Sequence, residues 1–254
     1  MRLFRRLFLL PLLAHGALLA QETPRPWRVC GGDVALPPYQ YNDPKHLGIG
    51  ELMLVEAGQQ VGLAVQFLRF PIKRCRAMLE ADEVDTLMAV PTPGNLAQYR
   101  FPMKAGALDG SQKVARINLV WVLRSDSPLH WDGQALSGAD AAGLLIGTRV
   151  SMRAAIEPLQ AMGLRVDDSA LNTRQLLLKL AGRRIDAAVA LQDEVETLLS
   201  DAALQGLLIQ PKPLLAADFY AVIRQQASAE QQARAAAWWA AIRVLREQPA
   251  YRLR

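Results

Sequence analysis

Apolar and polar positions along this chain switch between two periods, and each switch marks an element. WRVC at 27–30 reads as a strand, followed by a Gly- and Pro-rich loop, GGDVALPPYQYNDPKHLG. From Glu51 to Val61 the pattern is helical: Leu54, Ala57 and Val61 fall on one stripe, with Gly62 in the stop position. LAVQFLRF at 63–70 returns to strand. Pro71 opens a second helix at its favoured first position, and that helix stops near Asp82. VDTLMAV at 84–90 is a third strand. This β-α-β-α-β order predicts a parallel sheet with covering helices.

From Ile117 the pattern restarts. INLVWVL and LLIGT read as strands, and a helical segment runs on through Met162 and Gly163, with Pro158 either kinking it or sitting at its start. Asn172 with Gln175 resembles a capping box for a helix through LLLKLA. IDAAVAL is again a strand, and FYAVIR at 219–224 is the last one. Ser228 with Gln231 caps a final helix whose Ala235, Trp238, Ile242 and Leu245 form a core-facing stripe.

One corner occurs twice. LEADEVDTLMAV at 79–90 returns as LAGRRIDAAVAL at 180–191, placing Asp85 and Asp186 at matching offsets 101 positions apart. The economical reading of each Asp is structural, closing its turn through the side chain; a ligand role is the alternative. The chain therefore reads as two similar α/β lobes.

Composition fits that reading: 254 residues, 51% of them hydrophobic and 21% charged, supply one large core or two medium ones. Arg2, Arg5 and Arg6 followed by the short apolar run at 7–20 read as a cleaved secretory signal, with a retained anchor as the alternative. Without those three arginines the formal charge drops from +5 to +2, which gives no reason to expect a nucleic-acid partner. No second apolar run approaches membrane length, so a soluble chain in the periplasm is expected. In that oxidising compartment Cys30 and Cys75 read as a bridged pair, two buried thiols being the alternative. His46 and His130 have no ligand-like spacing with either Cys, so neither a metal nor a cofactor is expected.

Two exported α/β lobes in this order resemble the type II periplasmic binding proteins. The specific resemblance is to a divergent member of the family 3 solute-binding proteins of polar amino-acid uptake systems. It is carried, from about Trp27 onward, by PPYQY after the first strand, Gly48 to Gly62 around the first helix, and the L-x5-D corner twice. RFP before the crossover and IGTRVS opening the second lobe add to it. The resemblance implies lobe 1 at 21–108 plus 219–254 and lobe 2 at 109–218, after a signal peptide at 1–20. Each lobe is then a mainly parallel sheet flanked by helices, with a ligand cleft between lobes at the carboxyl ends of the strands.

The family pattern also implies site residues. Its members hold an amino acid's α-carboxylate with a Thr or Ser hydroxyl and an Arg in a Thr-Pro-Glu-Arg-like element. Here that stretch is AVPTPGNLAQYRFP, so Thr92 keeps its place and the Arg position falls on Asn95. Exchanging a bidentate cation for a neutral amide argues against an ordinary α-amino acid; Arg100 nearby reads as a surface charge. Lys73, Arg74 and Arg76 occupy the first turns of a helix, where the dipole disfavours positive charge. An anionic ligand would account for them, with Arg74 the preferred contact, and side chains reaching into water are the alternative. In lobe 2, Ser151 caps a helix and leaves N–H groups for an anion, or is a plain cap, with Arg149 and Arg153 flanking it. Gln192 and Asp193 are the candidates for a ligand's amino group. Tyr39 and Tyr41 could stack on a ligand, and Asp33 is a further contact.

The expected function is a monomeric binding protein without chemistry. It closes two lobes on a small polar or anionic solute and delivers it to the permease of an ABC transporter, or presents it to a sensor. One alternative is an enzyme on the same scaffold, such as a dehydratase of small cyclic acids with Asp193 or Glu194 as general acid. The other is a degenerate member that acts through protein contacts.

Overall fold

A computed structural model describes residues 25–33, 35, 39–41, 43, 45–138 and 143–251. The expected signal segment at 1–20 lies outside them. The first half comprises β1 (Trp27–Gly31), α1 (Ile49–Gln60), β2 (Val65–Arg69), α2 (Ile72–Glu80) and β3 (Thr86–Ala89). Then come α3 (Pro93–Gln98) and the short strands β4 (Tyr99–Arg100), β5 (Met103–Lys104) and β6 (Ala107–Leu108). The second half opens on β7 (Ala115–Arg124), the short β8 (His130–Trp131) and β9 (Leu136–Ser137), and β10 (Leu145–Arg149). It continues through α4 (Arg153–Ala161), β11 (Arg165–Ala170), α5 (Thr173–Ala181), β12 (Ala187–Leu191) and α6 (Gln192–Leu198). The chain ends on β13 (Leu207–Arg224) and α7 (Ala229–Arg246).

Eight strands form one path, β11-β10-β12-β7-β13-β3-β1-β2, with β4 paired to β13 off it; β5-β6 and β8-β9 are separate two-stranded pairs. Each half contributes a parallel trio, β2-β1-β3 and β11-β10-β12. The long antiparallel strands β7 and β13 join the two trios. β13 pairs with β7 as far as Phe219↔Ala115, then with β3 from Tyr220↔Ala89. Its register shifts around Pro213, where a missing backbone N–H cannot continue the ladder.

Helices cover both faces of each trio. In the first half, α1 and α7 pack Met53, Leu54, Trp238 and Ile242 against Trp27 and Val29. α2 packs Cys75 and Leu79 on the opposite face, against Leu87, Phe101 and Tyr220. In the second half, α4 places Ala155 and Leu159 against Trp121 and Ile146, and α5 places Leu176 and Leu180 against Val122 and Ala188. Ala235, Trp238, Ile242 and Leu245 of α7 are all buried, as their helical spacing required. Ser228 and Gln231 exchange the two bonds of a capping box, and Asn172 caps α5. Cys30 and Cys75 form a disulfide that ties β1 to α2.

Several sequence expectations shift. Pro71 is the N-cap of α2 and not its first residue, and α1 begins at Ile49, two residues early. Pro158 lies inside α4. β11 is a strand the sequence did not suggest, because RVDDSA is an edge strand with only its last residue buried. The repeated Asp does not close its own turn. Asp85 donates its N–H to the Arg28 carbonyl (2.9 Å) and accepts the Arg28 N–H on its carboxylate (2.7 Å). Asp186 makes the same two bonds with Leu145, at 2.9 and 2.8 Å.

Candidate functional site

The two halves meet across a cavity of about 100 Å³ next to the point where β7 and β13 cross between them. Its floor is Val114–Asn118 and Phe219, and its first-half wall is Tyr39, Gln40, the start of α1, Phe67 and Arg69. Leu191, Gln192 and Asp193 close it from the second half. An engineered cavity of about 150 Å³ admits benzene, so this one suits a solute of only a few heavy atoms, or several waters.

The first-half wall is built around Glu51, in the first turn of α1. Its carboxylate reaches back to the N–H groups of Gly48 (2.8 Å) and Tyr41 (3.2 Å), fixing the 39–41 loop on the helix start. Arg69, at the end of β2, pairs with the same carboxylate. Burial pushes the Arg69 guanidinium below its ordinary pKa. Gly48 is required here by close approach, since a Cβ at that position would lie 2.3 Å from the Tyr39 backbone. Held this way, Tyr39 reaches the other half and donates its hydroxyl to Asp193 (2.6 Å). Burial, and then the Asp193 carboxylate, raise the Tyr39 phenol pKa well above its usual value.

A second set of contacts crosses between the halves at α2, α3 and α4. Arg76 of α2 donates to the Ser151 carbonyl (2.9 Å). Arg153, the first residue of α4, donates to the Asn95 side-chain carbonyl (3.1 Å) and to Gln98. The Thr92 hydroxyl donates to Glu157 of α4 (2.9 Å), and the Gly94 N–H donates to the same carboxylate (3.2 Å). Burial first, then the charge of Arg153, lower the Arg76 pKa. Among the described residues neither Arg76 nor Arg153 has an ion-pair partner within 4 Å.

The nine residues singled out from sequence are thus distributed unevenly. Tyr39 and Asp193 meet across the cavity, and Thr92, Asn95 and Arg153 meet in the second contact set. Asn95 holds its place by donating to the Val90 carbonyl (2.8 Å). Ser151 offers its backbone carbonyl and not its hydroxyl; it stands at φ 58°, and Met152 takes the N-cap position of α4. Tyr41 stacks on His46, with centroids 4.3 Å apart. Asp33 is exposed in the bend after β1. Arg74 is exposed, its guanidinium 4.0 Å above the Phe70 ring, and Arg76, one face round the helix, is the cation that reaches the second half. Arg100 donates to the Gln225 carbonyl. The candidate acids Asp193 and Glu194 are both engaged, Glu194 with Arg149 (3.0 Å) and the Thr173 hydroxyl.

Sequence reasoning missed Glu51, Arg69, Arg116, Gln192's partner Asn118, and above all Glu157. A signal existed for Glu51, a carboxylate three residues after Gly48 at a helix start. For Glu157 the only trace was its spacing of four from Arg153, which places both on one face of α4.

No protein-family model and no curated sequence matches the chain. Solved structures do. A histidine kinase sensor domain with similarity to periplasmic binding proteins aligns with a TM-score of 0.69 at 19% identity, covering 91% of this chain and 94% of that one. Holo ArgBP from T. maritima aligns at 0.64 and 16%, covering 89% and 93%. The GluR0 ligand-binding core from Nostoc punctiforme, in complex with L-glutamate, aligns at 0.62 and 13%, covering 87% and 98%. The chain has the two-lobed α/β fold of periplasmic binding proteins.

Proposed function

We propose that the protein binds a small polar or anionic solute between its lobes and reports or delivers it by changing the angle between them. The observation that carries this reading is the cavity shared by both halves and by the crossing strands β7 and β13, which is where a hinge closes on ligand. The hinge lies where β13 changes partner between Phe219 and Tyr220, consistent with lobes at 21–108 plus 219–254 and at 109–218. Arg116 on the cavity floor has no ion-pair partner among the described residues, which favours an anion over a cation. Tyr39 and Asp193, facing each other across the cavity, then act as the closing contact. The protein performs no chemistry in this reading.

Among the described residues no helix is long and apolar enough to cross a membrane. The fold and the signal-like segment at 1–20 support a periplasmic location. The partner is then the permease of an ABC transporter or a membrane-bound sensor. The sensor reading gains from the second set of lobe-to-lobe contacts, which the protein makes with its own groups.

The test is a thermal-shift screen of the chain from Gln21 onward against polar amino acids, dicarboxylates, small cyclic acids and aromatic acids. A solute at about 100 times its dissociation constant adds roughly 2.7 kcal/mol, a shift of several degrees. An anion that stabilises the parent and not Arg116→Ala supports the reading. A cationic amino acid as the one stabilising member of the panel sinks the preference for an anion, and a panel that moves the melting temperature nowhere sinks solute binding.

A further inference from the structure

Helix α4 of one lobe docks on α3 of the other through two side chains one turn apart. Glu157 takes the Thr92 hydroxyl and the Gly94 N–H, and Arg153 gives its guanidinium to Asn95 and Gln98. Thr92 and Asn95 are both buried, so the contacts made to them are anchored below the surface, whereas Arg153–Gln98 is exposed. Gly94 supplies an independent observation. Its backbone lies outside the left-handed region, so conformation does not demand glycine there. Space bears on it: a Cβ at position 94 would lie 2.6 Å from Glu157 Oε1, so the carboxylate keeps its place on Thr92 and Gly94 only beside a glycine. Glycine is a poorer helix residue than alanine, and here the compensation is room for a carboxylate from the opposite lobe.

We propose that Glu157 is a built-in latch. Its carboxylate occupies the donors that a small carboxylate would otherwise take from Thr92 and Gly94, and it holds the lobes together without a solute. The inference rests on the cleft reading above for the meaning of lobe closure. It assigns a regulatory role to a lobe-to-lobe contact outside the cavity: any solute works on lobes already joined by the protein's own carboxylate, which keeps free carboxylates off Thr92 and Gly94. The same contact explains why Thr92, whose hydroxyl suits a ligand carboxylate, meets one belonging to the protein. Thr92, Ala154, Glu157 and Pro158 also line an open groove of about 590 Å³, so removing the Glu157 side chain leaves its donors reachable from solvent.

Chemical rescue tests this directly. The melting temperature and the radius of gyration of Glu157→Ala are measured in rising sodium acetate, against sodium chloride at matched ionic strength. The expected result is a melting temperature roughly 2–6 °C below the parent and a larger radius, both partly restored by acetate. Acetate should have no such effect on the parent or on Thr92→Val/Glu157→Ala. An unchanged melting temperature or radius overturns the latch, as does an acetate effect that persists in the double variant. If Glu157→Ala does not fold, Thr92→Val and Glu157→Gln, which keep volume, form a double-mutant cycle. Losses that fail to add support the latch, and additive losses overturn it. Neither measurement uses the solute, so a failed solute screen and a failed latch are separate outcomes.

Discussion

Asp85 and Asp186, 101 positions apart, make the same two bonds to the strand beside them in opposite lobes. Each gives its backbone N–H to a residue at the start of the central strand, Arg28 or Leu145, and each takes that residue's N–H on its carboxylate. The carboxylate thus satisfies a donor at the entrance of the central strand on the side facing β3 or β12, whose pairing begins one residue later. Without it the N–H would be left in a largely buried setting. Asp186→Ala is expected to lower unfolding stability by about 1–3 kcal/mol in a urea titration. A change below a few tenths of a kcal/mol would remove the bracket as an explanation of the repeated corner.

Gly94→Ala carries a sign test. At an ordinary helical position this substitution stabilises by about 0.4–1 kcal/mol. Here the new methyl meets Glu157 Oε1 and pushes the carboxylate off Thr92 and Gly94, so the gain should disappear or turn into a loss of about 1 kcal/mol. In a Glu157→Ala background the gain should return. Calorimetry of the four proteins reads both.

The Cys30–Cys75 bond closes 45 positions of chain that hold the 39–41 loop and α1, the first-lobe wall of the cavity. By the chain-entropy argument a loop of that length is worth about 4 kcal/mol. Cys30→Ala/Cys75→Ala should lower the guanidinium midpoint accordingly while leaving the buried α5 and β12 packing of the second lobe intact. Equal loss of hydrogen-exchange protection in both lobes would show that the bridge supports the whole fold.

Acid should weaken the anchoring of β11. Burial pushes the Asp167 carboxyl upward, but bonds from Lys179 and Ser169 outweigh it and hold the pKa at about 2. Because the folded value is depressed, its contribution is complete above the unfolded value near pH 4 and disappears as pH falls through about 2. A stability profile between pH 5 and pH 2 should therefore fall less steeply for Asp167→Asn than for the parent. A parallel decline in both proteins would assign the acid loss to other carboxylates.

Much of the fold was legible because its signals are local. The stripe through Trp238 and Ile242, the stop at Gly62 (φ 72°), and the caps at Asn172 and Ser228 depend on residues within a few positions of one another. β11 escaped because an edge strand buries little and so needs no apolar pattern. The length of β13 escaped because its first part interrupts the ladder at Pro213.

The site was legible in part. Thr92, Asn95, Arg153, Tyr39 and Asp193 were singled out and are brought to contacts between the lobes, although their partners were not foreseen. Among the cations of α2 the choice fell on Arg74, whereas Arg76 faces the other lobe. Positions two apart on a helix differ by about 200° in direction, and which direction points inward is set by how α2 packs, not by its composition.

By itself, the sequence determined two α/β lobes, their repeated corner, their capped helices and a bridgeable pair of cysteines, because periodicity, caps and breakers act over a few residues. Only the tertiary structure decided that Glu51 is held by Arg69, that Tyr39 reaches Asp193 and that Glu157 settles on Thr92. Tyr39–Asp193 and Thr92–Glu157 join residues 154 and 65 positions apart, and such contacts exist only once β7 and β13 set one lobe against the other.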